Sequence, residues 1–353
     1  MVKTRPELIG LYRPPFSQAG RYGHLRLDKN EHTCGWPQKA VHQMMAGVNG
    51  EFLAAYPEPG HLYEAIARLH GVKIENVLVT AGSEMAIRYV FETYLSSGQE
   101  VVFLDPSFAM FDVYAAICGA RRTKILCGPD LRFSVNDLLA LISARTKIVA
   151  IANPNNPTGT VIRPADIRRI AERTASTGAL FLVDEAYYEF YGRTALDFFK
   201  RFDHLIITRT FSKAYGLASV RLGYALAHPA IINEVRKLQP IDHANGIAIQ
   251  CGLHLLSHPA WVRSNVERVK RGRSFLVTAV RQLGFRAFPS HGNFLVMDLR
   301  DCRDRFIEEA KKHNILVSET VRFPFINNCV RVTIGNIPQM RRVVAVLKAV
   351  TRR

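Results

Sequence analysis

Hydrophobic residues between about positions 74 and 227 fall into short runs that alternate with longer amphipathic stretches. The short runs are apolar throughout, which is typical of strands in a mostly parallel sheet with helices on both faces. The pattern therefore predicts an α/β domain. Its predicted strands are residues 77–80, 100–104, 122–126, 146–152, 179–183, 205–208 and 221–227. Its predicted helices are residues 84–94, 108–117, 135–144 and 165–177.

The two ends of the chain have a different pattern. Residues 1–70 are predicted to be irregular, because prolines interrupt them repeatedly. Beyond about residue 229, long helical patterns surround strand-like segments at 293–298 and 329–334, which is typical of a small α+β domain. The predicted division is an N-terminal arm that is part of the small domain (1–45), a large domain (46–258) and a small C-terminal domain (259–353).

Composition limits the class of protein. The chain has 353 residues, of which 48% are hydrophobic, and this proportion is too high for a disordered protein. No stretch approaches the roughly 20 apolar residues of a membrane-spanning helix, and residues 1–16 lack the apolar core of a secretory signal. Six scattered cysteines without a C-x-x-C spacing are expected to be reduced thiols, with disulfides or a metal site as alternatives. We therefore expect a cytoplasmic protein without a membrane partner or a bound metal.

The net charge is the unusual feature of the composition. Lysine and arginine number 47 against 30 aspartate and glutamate, which gives +17. Such a surplus suggests nucleic acid, a membrane surface or an anionic small molecule as a partner. The basic residues are scattered rather than clustered with aromatic residues, and residues 1–25 leave no room for a helix-turn-helix domain. A non-catalytic nucleic-acid-binding protein is therefore only a remote alternative.

Polar residues follow several of the predicted strands, at the edge where open α/β sheets bind ligands. Gly82-Ser83 opens a helix after the first strand, and such a turn binds a phosphate or simply caps the helix. The strand 146–152 is followed by Asn153-Pro154-Asn155-Asn156-Pro157-Thr158-Gly159. This rigid turn, taken alone, is equally compatible with an ordinary loop.

A carboxylate and an amine follow the next two strands. Asp184 comes directly after an apolar run, so it is partly desolvated and needs a cationic partner. Lys213 follows Thr210 and Ser212, and Arg221 lies eight residues further on. A lysine beside an arginine should have a lowered pKa, which favours a nucleophilic amine.

Together these groups match the chemical features of pyridoxal 5′-phosphate. Its phosphate would contact Ser83, the backbone N–H of Glu84, Thr210, Ser212 and Arg221. Its protonated ring nitrogen would face Asp184, its phenolic oxygen would face Asn156 and Tyr187, and its aldehyde would form a Schiff base with Lys213. Lys213 would then also carry the proton that the substrate loses from its α-carbon.

On these motifs the chain resembles the fold-type I pyridoxal-phosphate-dependent aminotransferases of class I/II, and within them the histidinol-phosphate aminotransferases. The resemblance is carried by Asn153 to Gly159, Asp184-Glu185-Ala186-Tyr187, Ser212-Lys213-Ala214-Tyr215-Gly216-Leu217-Ala218 and Arg221-Leu222-Gly223. It implies a large cofactor-binding domain, a small C-terminal domain and amino transfer between an L-amino acid and a 2-oxo acid. Lys213, Asp184 and Tyr187 are the implied catalytic residues.

The resemblance also implies roles for more distant residues. Phe108 would stack on the pyridine ring, although an aromatic residue there would otherwise be expected in the core. Tyr56 would reach the cofactor phosphate of a neighbouring subunit, which implies a homodimer. Arg331, together with Asn156, would bind the substrate, with the guanidinium gripping its α-carboxylate. Without the resemblance, Arg331 would be interpreted as a surface charge.

Two departures from the family pattern concern the substrate. Where histidinol-phosphate aminotransferases have an arginine for the substrate phosphate, this chain has Leu316-Val317-Ser318-Glu319, without an arginine and with an added carboxylate. Glu319 could receive a cationic or hydroxylated substrate side chain, or it could simply be a solvated carboxylate. Arg322 is displaced from that position, and a family tyrosine near the N-terminus is replaced by Phe16. We therefore expect a native substrate other than histidinol phosphate. A pyridoxal-phosphate-dependent decarboxylase or amino-acid oxidase is the alternative on the same fold.

Overall fold

The computed structural model describes residues 2–11, 20–319 and 325–351. Its strands are β1 (Leu25–Leu27), β2 (Val77–Thr80), β3 (Glu100–Asp105), β4 (Arg121–Leu126), β5 (Thr146–Ala152), β6 (Leu180–Asp184), β7 (Leu205–Thr210), β8 (Gly223–Leu226), β9 (Arg286–Ala287), β10 (Phe294–Asp298), β11 (Ile315–Glu319) and β12 (Cys329–Thr333). Its helices are α1 (Gln38–Met44), α2 (Gly50–Ala54), α3 (Gly60–His70), α4 (Ser83–Tyr94), α5 (Met110–Ile117), α6 (Val135–Leu141), α7 (Pro164–Thr177), α8 (Tyr188–Tyr191), α9 (Pro229–Val235), α10 (Gly246–Ser257), α11 (Pro259–Gln282), α12 (Arg303–Lys312) and α13 (Ile337–Thr351).

The larger sheet has seven strands in the order β2-β8-β7-β6-β5-β3-β4. Strands β3 to β7 pair in parallel, and β8 is antiparallel to both of its neighbours. Alternate residues of β5 enter different cores, with Val149 and Ile151 on one face and Ile148 and Ala150 on the other. Burial on both faces explains why these strands are apolar throughout. The α/β fold class is thereby confirmed.

The smaller sheet joins the two ends of the chain. Its strand order is β1-β11-β12-β10-β9, and β1 pairs in parallel with β11. This pairing holds the segment after β1, residues 28–31, against the cavity between the sheets. The predicted domain division, with boundaries at 45 and 258, stays a prediction.

The expectation that residues 1–70 are irregular was wrong for residues 25–27, which form β1, and for residues 38–70. Helices α1, α2 and α3 lie in this segment. Pro37 and Pro59 occupy the positions immediately before α1 and α3, so these prolines precede helices rather than interrupt them. Helix α3 buries Leu62 and Ile66, which are four residues apart and therefore on one face. A smaller difference is that α5 begins at Met110, so Phe108 precedes this helix.

Within residues 2–11, 20–319 and 325–351, no helix is both long enough and apolar enough to cross a membrane.

Candidate active site

A cavity of about 550 Å³ lies at the carboxyl ends of the central parallel strands, beside the small sheet. It brings together eleven of the twelve predicted site residues, namely Ser83, Glu84, Phe108, Asn156, Asp184, Tyr187, Thr210, Ser212, Lys213, Arg221 and Arg331. The twelfth, Tyr56, does not line this cavity, and 82% of its surface is exposed. The carboxyl edge of the sheet therefore gathers residues from widely separated parts of the chain.

One end of the cavity is shaped to hold an anion. Helix α4 begins at Ser83, where its first N–H groups have no partner within the helix. Gly82 has a φ of +84°, and a Cβ at this position would lie 2.8 Å from the guanidinium of Arg221. Glycine thus allows the guanidinium to lie against the start of the helix. Arg221 also donates a 3.5 Å hydrogen bond to the Ser212 hydroxyl, which completes a cradle suited to a phosphate.

Asp184 closes strand β6 and is buried. It accepts a 2.9 Å hydrogen bond from the Thr208 hydroxyl and another from the backbone of Ala186. Burial raises the pKa of Asp184 to about 6, because the positive charge of Lys213 compensates only a small part of the desolvation. The carboxylate therefore suits a cationic ligand that would stabilise its charged form, as a protonated ring nitrogen does.

Lys213 lies between this carboxylate and the small sheet. Its Nζ donates a 2.9 Å hydrogen bond to the backbone carbonyl of Lys29. The pKa of Lys213 is lowered to about 8, first by burial and then by the charge of Arg331. The predicted direction agrees with the structure, but Arg331 has a larger effect than Arg221, on which the prediction rested. A neutral amine is accessible near physiological pH as a result.

Arg331 faces the same cavity from strand β12. Its Nη1 donates a hydrogen bond to Asn156 Oδ1, and its Nη2 donates one of 2.7 Å to the backbone carbonyl of Asp28. The Nε atom is buried and has no hydrogen-bond partner among residues 2–11, 20–319 and 325–351. Such an unsatisfied donor, on a guanidinium whose pKa is lowered by burial, fits an anionic ligand group such as a carboxylate.

Two predicted aromatic residues line the cavity from different sides. Tyr187 accepts a 2.9 Å hydrogen bond at its hydroxyl from the Asn30 side chain, and burial raises the pKa of Tyr187 to about 12. Phe108 is partly buried and meets Phe111 edge to face, with ring centroids 5.7 Å apart. Phe108 therefore combines a core contact with a position on the cavity wall.

Residues 28–31 contribute more to the site than the sequence indicates. The backbone carbonyls of Asp28 and Lys29 accept hydrogen bonds from Arg331 and Lys213, and Asn30 contacts Tyr187. The motifs that identify the site from the sequence lie elsewhere and give Asn30 no role. Backbone acceptors leave no trace in side-chain chemistry, so only the pairing of β1 with β11 would have located them.

The segment that departs from the family pattern lies beside Arg331. Ser318 of β11 is opposite Arg331 of β12, so both side chains lie on one face of the sheet. Glu319 is exposed and forms a 3.6 Å ion pair with Lys311. The other two substituted positions, Phe16 and Arg322, lie outside the described residues.

The cradle at Gly82, the buried carboxylate, the amine of lowered pKa and the guanidinium with one free donor among the described residues fit pyridoxal 5′-phosphate and an amino-acid substrate. Fold and cavity together define a fold-type I pyridoxal-phosphate-dependent aminotransferase. The chain belongs to the aminotransferase class I and II family, whose sequence model matches residues 25–347. This membership favours transamination over decarboxylation or oxidation, and an enzyme over a non-catalytic nucleic-acid-binding protein.

Known relatives give the subgroup. The chain is 32% identical to a histidinol-phosphate aminotransferase of Sinorhizobium fredii, over 96% of this chain and 91% of the relative. It is also 32% identical to one of Methanocella arvoryzae, over 92% and 89% of the two chains. The protein is therefore an aminotransferase of the histidinol-phosphate aminotransferase type.

The fold is shared with solved structures. A histidinol-phosphate aminotransferase from Sinorhizobium meliloti, in complex with pyridoxal 5′-phosphate, superposes with a TM-score of 0.87 at 22% identity. The match covers 100% of this chain and 98% of that one.

The pH dependence of Lys213 is a prediction of this geometry. Only the neutral amine attacks an aldehyde, so we expect cofactor capture by the apoenzyme to rise with pH, with a midpoint near 8 instead of the ordinary 10.5. Stopped-flow absorbance between pH 6.5 and 10 measures this rate. Arg331→Met should move the midpoint upward, because the nearby positive charge is removed. A wild-type midpoint near the ordinary lysine value would contradict the assignment.

Proposed function

We propose that this protein transfers an amino group between an L-amino acid and a 2-oxo acid, and that its native substrate is not histidinol phosphate. The observation that carries the proposal is the pairing of Ser318 with Arg331. A short neutral side chain occupies the face next to the proposed carboxylate-binding arginine, where the family pattern has a second arginine. Glu319, the next residue, pairs with Val330 and therefore lies on the opposite face of the sheet, where it forms an ion pair with Lys311.

We propose these roles for the residues of the cavity. The α4 N-terminus, Ser212 and Arg221 bind the cofactor phosphate, and Thr210 positions Ser212 by accepting a 3.0 Å hydrogen bond from its backbone N–H. Asp184 holds the proton on the ring nitrogen. Phe108 packs on the ring and excludes water from one face.

The remaining roles concern the substrate. When bound, the cofactor supplies an electron sink that allows the bond between the substrate's α-carbon and its hydrogen to break. Lys213, with its pKa near 8, receives that proton and returns it. Arg331 binds the α-carboxylate through donors that include Nε, which has no partner in the part of the chain that the structure describes, and Asn156 positions Arg331 from the side. Tyr187 orients the cofactor by contacting the cofactor's phenolic oxygen.

The substrate proposal is tested by single-turnover conversion of the cofactor to its amine form with a panel of L-amino acids and with histidinol phosphate. We expect at least one amino acid to react with a higher second-order rate constant than histidinol phosphate. Ser318→Arg should raise the rate constant for histidinol phosphate by about 10-fold or more, which is the value of a charge-assisted hydrogen bond.

Ser318→Met is the matched control, because it adds a long side chain without charge. It should leave histidinol phosphate a poor substrate. If the wild-type enzyme prefers histidinol phosphate to every amino acid in the panel, the substrate proposal is wrong.

Fold-type I aminotransferases are typically dimers, and we propose that Tyr56 contacts the cofactor phosphate of the neighbouring subunit. Its high exposure in the single chain supports this role, as does the exposure of the apolar side chains Leu53 and Ile241, which are 64% and 94% exposed. An aromatic hydroxyl left in solvent on the single chain suits an interface that forms in the dimer.

Hybrid dimers test the Tyr56 proposal. We expect a dimer of one Lys213→Ala chain and one Tyr56→Phe chain to contain one wild-type site, because the intact lysine and the intact tyrosine then meet across the interface. Its cofactor affinity at that site should equal that of the wild-type enzyme. If the one lysine-containing site instead shows the weaker affinity of the Tyr56→Phe homodimer, Tyr56 acts within its own subunit.

A further inference from the structure

Three buried side chains form a directional series of hydrogen bonds that ends at the cavity. The backbone N–H of Asn30 donates to the Thr333 hydroxyl at 2.9 Å, and that hydroxyl donates to Asn30 Oδ1 at 3.2 Å. Asn30 Nδ2 then donates to the Tyr187 hydroxyl at 2.9 Å. Asn30 is 1% exposed, Thr333 is 0% exposed and Tyr187 is 5% exposed, so water does not compete for these bonds.

The direction of each bond follows from the number of hydrogens available. A threonine hydroxyl has one hydrogen, and the Thr333 oxygen already accepts from a backbone N–H, so its hydrogen is free to bond Asn30 Oδ1. This bond holds the amide oxygen of Asn30 on the Thr333 side. The amide NH₂ group, which can only donate, is consequently the one that faces Tyr187.

Tyr187 is thereby restricted in turn. Its hydroxyl oxygen accepts from Asn30, so its single hydrogen must point elsewhere. Both residues line the cavity, and the cofactor's phenolic oxygen is the acceptor that the proposed site offers there. A hydroxyl that could donate to Asn30 would lose this orientation.

The backbone at Asn30 explains why the residue is asparagine. Its φ of +56° lies in the left-handed region, which asparagine adopts more readily than most residues. The segment is also held independently of the amide, because Asn293 Nδ2 donates a 3.0 Å hydrogen bond to the Asn30 carbonyl. The amide of Asn30 is therefore available for a task other than fixing the backbone.

We propose that Asn30 is a positioning residue that directs the hydroxyl hydrogen of Tyr187 at the cofactor's phenolic oxygen, with Thr333 fixing the orientation of its amide. This inference rests on the proposed site. The hydrogen bond competes for the phenolic oxygen with the proton on the nitrogen that joins the cofactor to Lys213. The hydrogen bond from Tyr187 thus lowers the pKa of that nitrogen. It thereby favours the unprotonated form, which is the form that accepts a substrate.

Charged groups around Tyr187 affect the pKa of its hydroxyl. The positive charge of Arg331 and the negative charge of Asp184 have opposite effects on the Tyr187 pKa, and Lys213 Nζ lies 5.9 Å from the tyrosine ring centroid. Burial keeps the Tyr187 pKa at about 12, so its hydroxyl retains its hydrogen throughout the working pH range. The direction in which that hydrogen points, rather than its presence, is what Asn30 controls.

The test is a pH titration of the visible absorption band of the holoenzyme, which reports protonation of the joining nitrogen. We expect Asn30→Gly, which tolerates the positive φ and removes the donor without adding charge, to raise the pKa of this band by about one pH unit. Asn30→Asp, which replaces the donor by an acceptor, should raise it at least as far. Thr333→Val should give a smaller shift in the same direction.

A double-mutant cycle with Tyr187→Phe separates the proposal from a general electrostatic or folding effect. Once the hydroxyl is absent, Asn30→Gly should cause no further shift. Asn293→Ala is the matched control, because it removes a hydrogen bond from the Asn30 backbone and leaves the amide intact. It should lower the melting temperature without moving the pKa of the band.

The results separate the role of Asn30 from the proposed site itself. An unshifted band in Asn30→Gly, or an equal shift in the Tyr187→Phe background, would overturn the role of Asn30. A wild-type band that does not titrate, or that Tyr187→Phe leaves unmoved, would instead refute the proposed site.

Discussion

Lys213→Ala is expected to abolish the visible band that sodium borohydride bleaches and to lower kcat by about 10⁴-fold or more. Two functions are lost together, since the same amine forms the reducible link to the cofactor and moves the substrate's α-proton. Proton transfer by a positioned side chain alone contributes about 10²–10⁴-fold. Absorbance spectra before and after borohydride, together with steady-state kinetics, measure both losses.

Two controls test whether the loss is specific to the amine of Lys213 and not to a positive charge or to any lysine in the cavity. Lys213→Arg keeps the positive charge and should be as inactive as the alanine variant, because a guanidinium remains protonated. Lys29→Ala removes the side chain of a second cavity lysine and leaves the carbonyl that accepts from Lys213 Nζ, so the band should persist. A borohydride-sensitive band retained by Lys213→Ala would refute the role of this lysine.

Asp184→Asn is expected to lower kcat by about 10²–10³-fold, equivalent to about 3–4 kcal/mol of transition-state stabilisation. The substitution keeps the shape of the side chain and removes the charge that holds a proton on the ring nitrogen. Without that proton the ring is a weaker electron sink. The effect should appear in the single-turnover rate constant for removal of the α-hydrogen.

Two further variants, Asp184→Glu and Thr208→Val, separate the charge of the carboxylate from its position. The glutamate variant keeps the charge in a displaced position and should lose less activity than the asparagine variant. Thr208→Val removes the 2.9 Å hydrogen bond to Asp184 and should cost about 10-fold. If Asp184→Asn retains the wild-type single-turnover rate, the ring nitrogen is not the partner of this carboxylate.

Much of the large sheet could be predicted because each central strand is buried on both faces and is therefore apolar throughout. Once the strands are placed, parallel topology brings Asp184 and Lys213 to one edge without further information. The pattern is less informative where a proline immediately precedes a helix, as at Pro37 and Pro59. There the same residue type that ends a helix also begins one.

Contacts between the two ends of the chain could not be predicted from local pattern. Asn30 and Thr333 are separated by 303 residues, and their contact depends on the parallel pairing of β1 with β11. The effect of Arg331 on the Lys213 pKa has the same origin, since the two residues are distant in sequence and meet only at the cavity. Sequence reasoning could name Arg331 through the family resemblance, but not its electrostatic effect.

The central claim is that Lys213 is the residue that holds the cofactor. The most direct measurement is reduction of the wild-type holoenzyme with borohydride, followed by proteolysis and mass spectrometry of the lysine-containing peptides. The account predicts one phosphopyridoxyl group per chain, attached to the Nζ of Lys213. Attachment at another lysine, or no attachment in protein that binds the cofactor stoichiometrically, would contradict it.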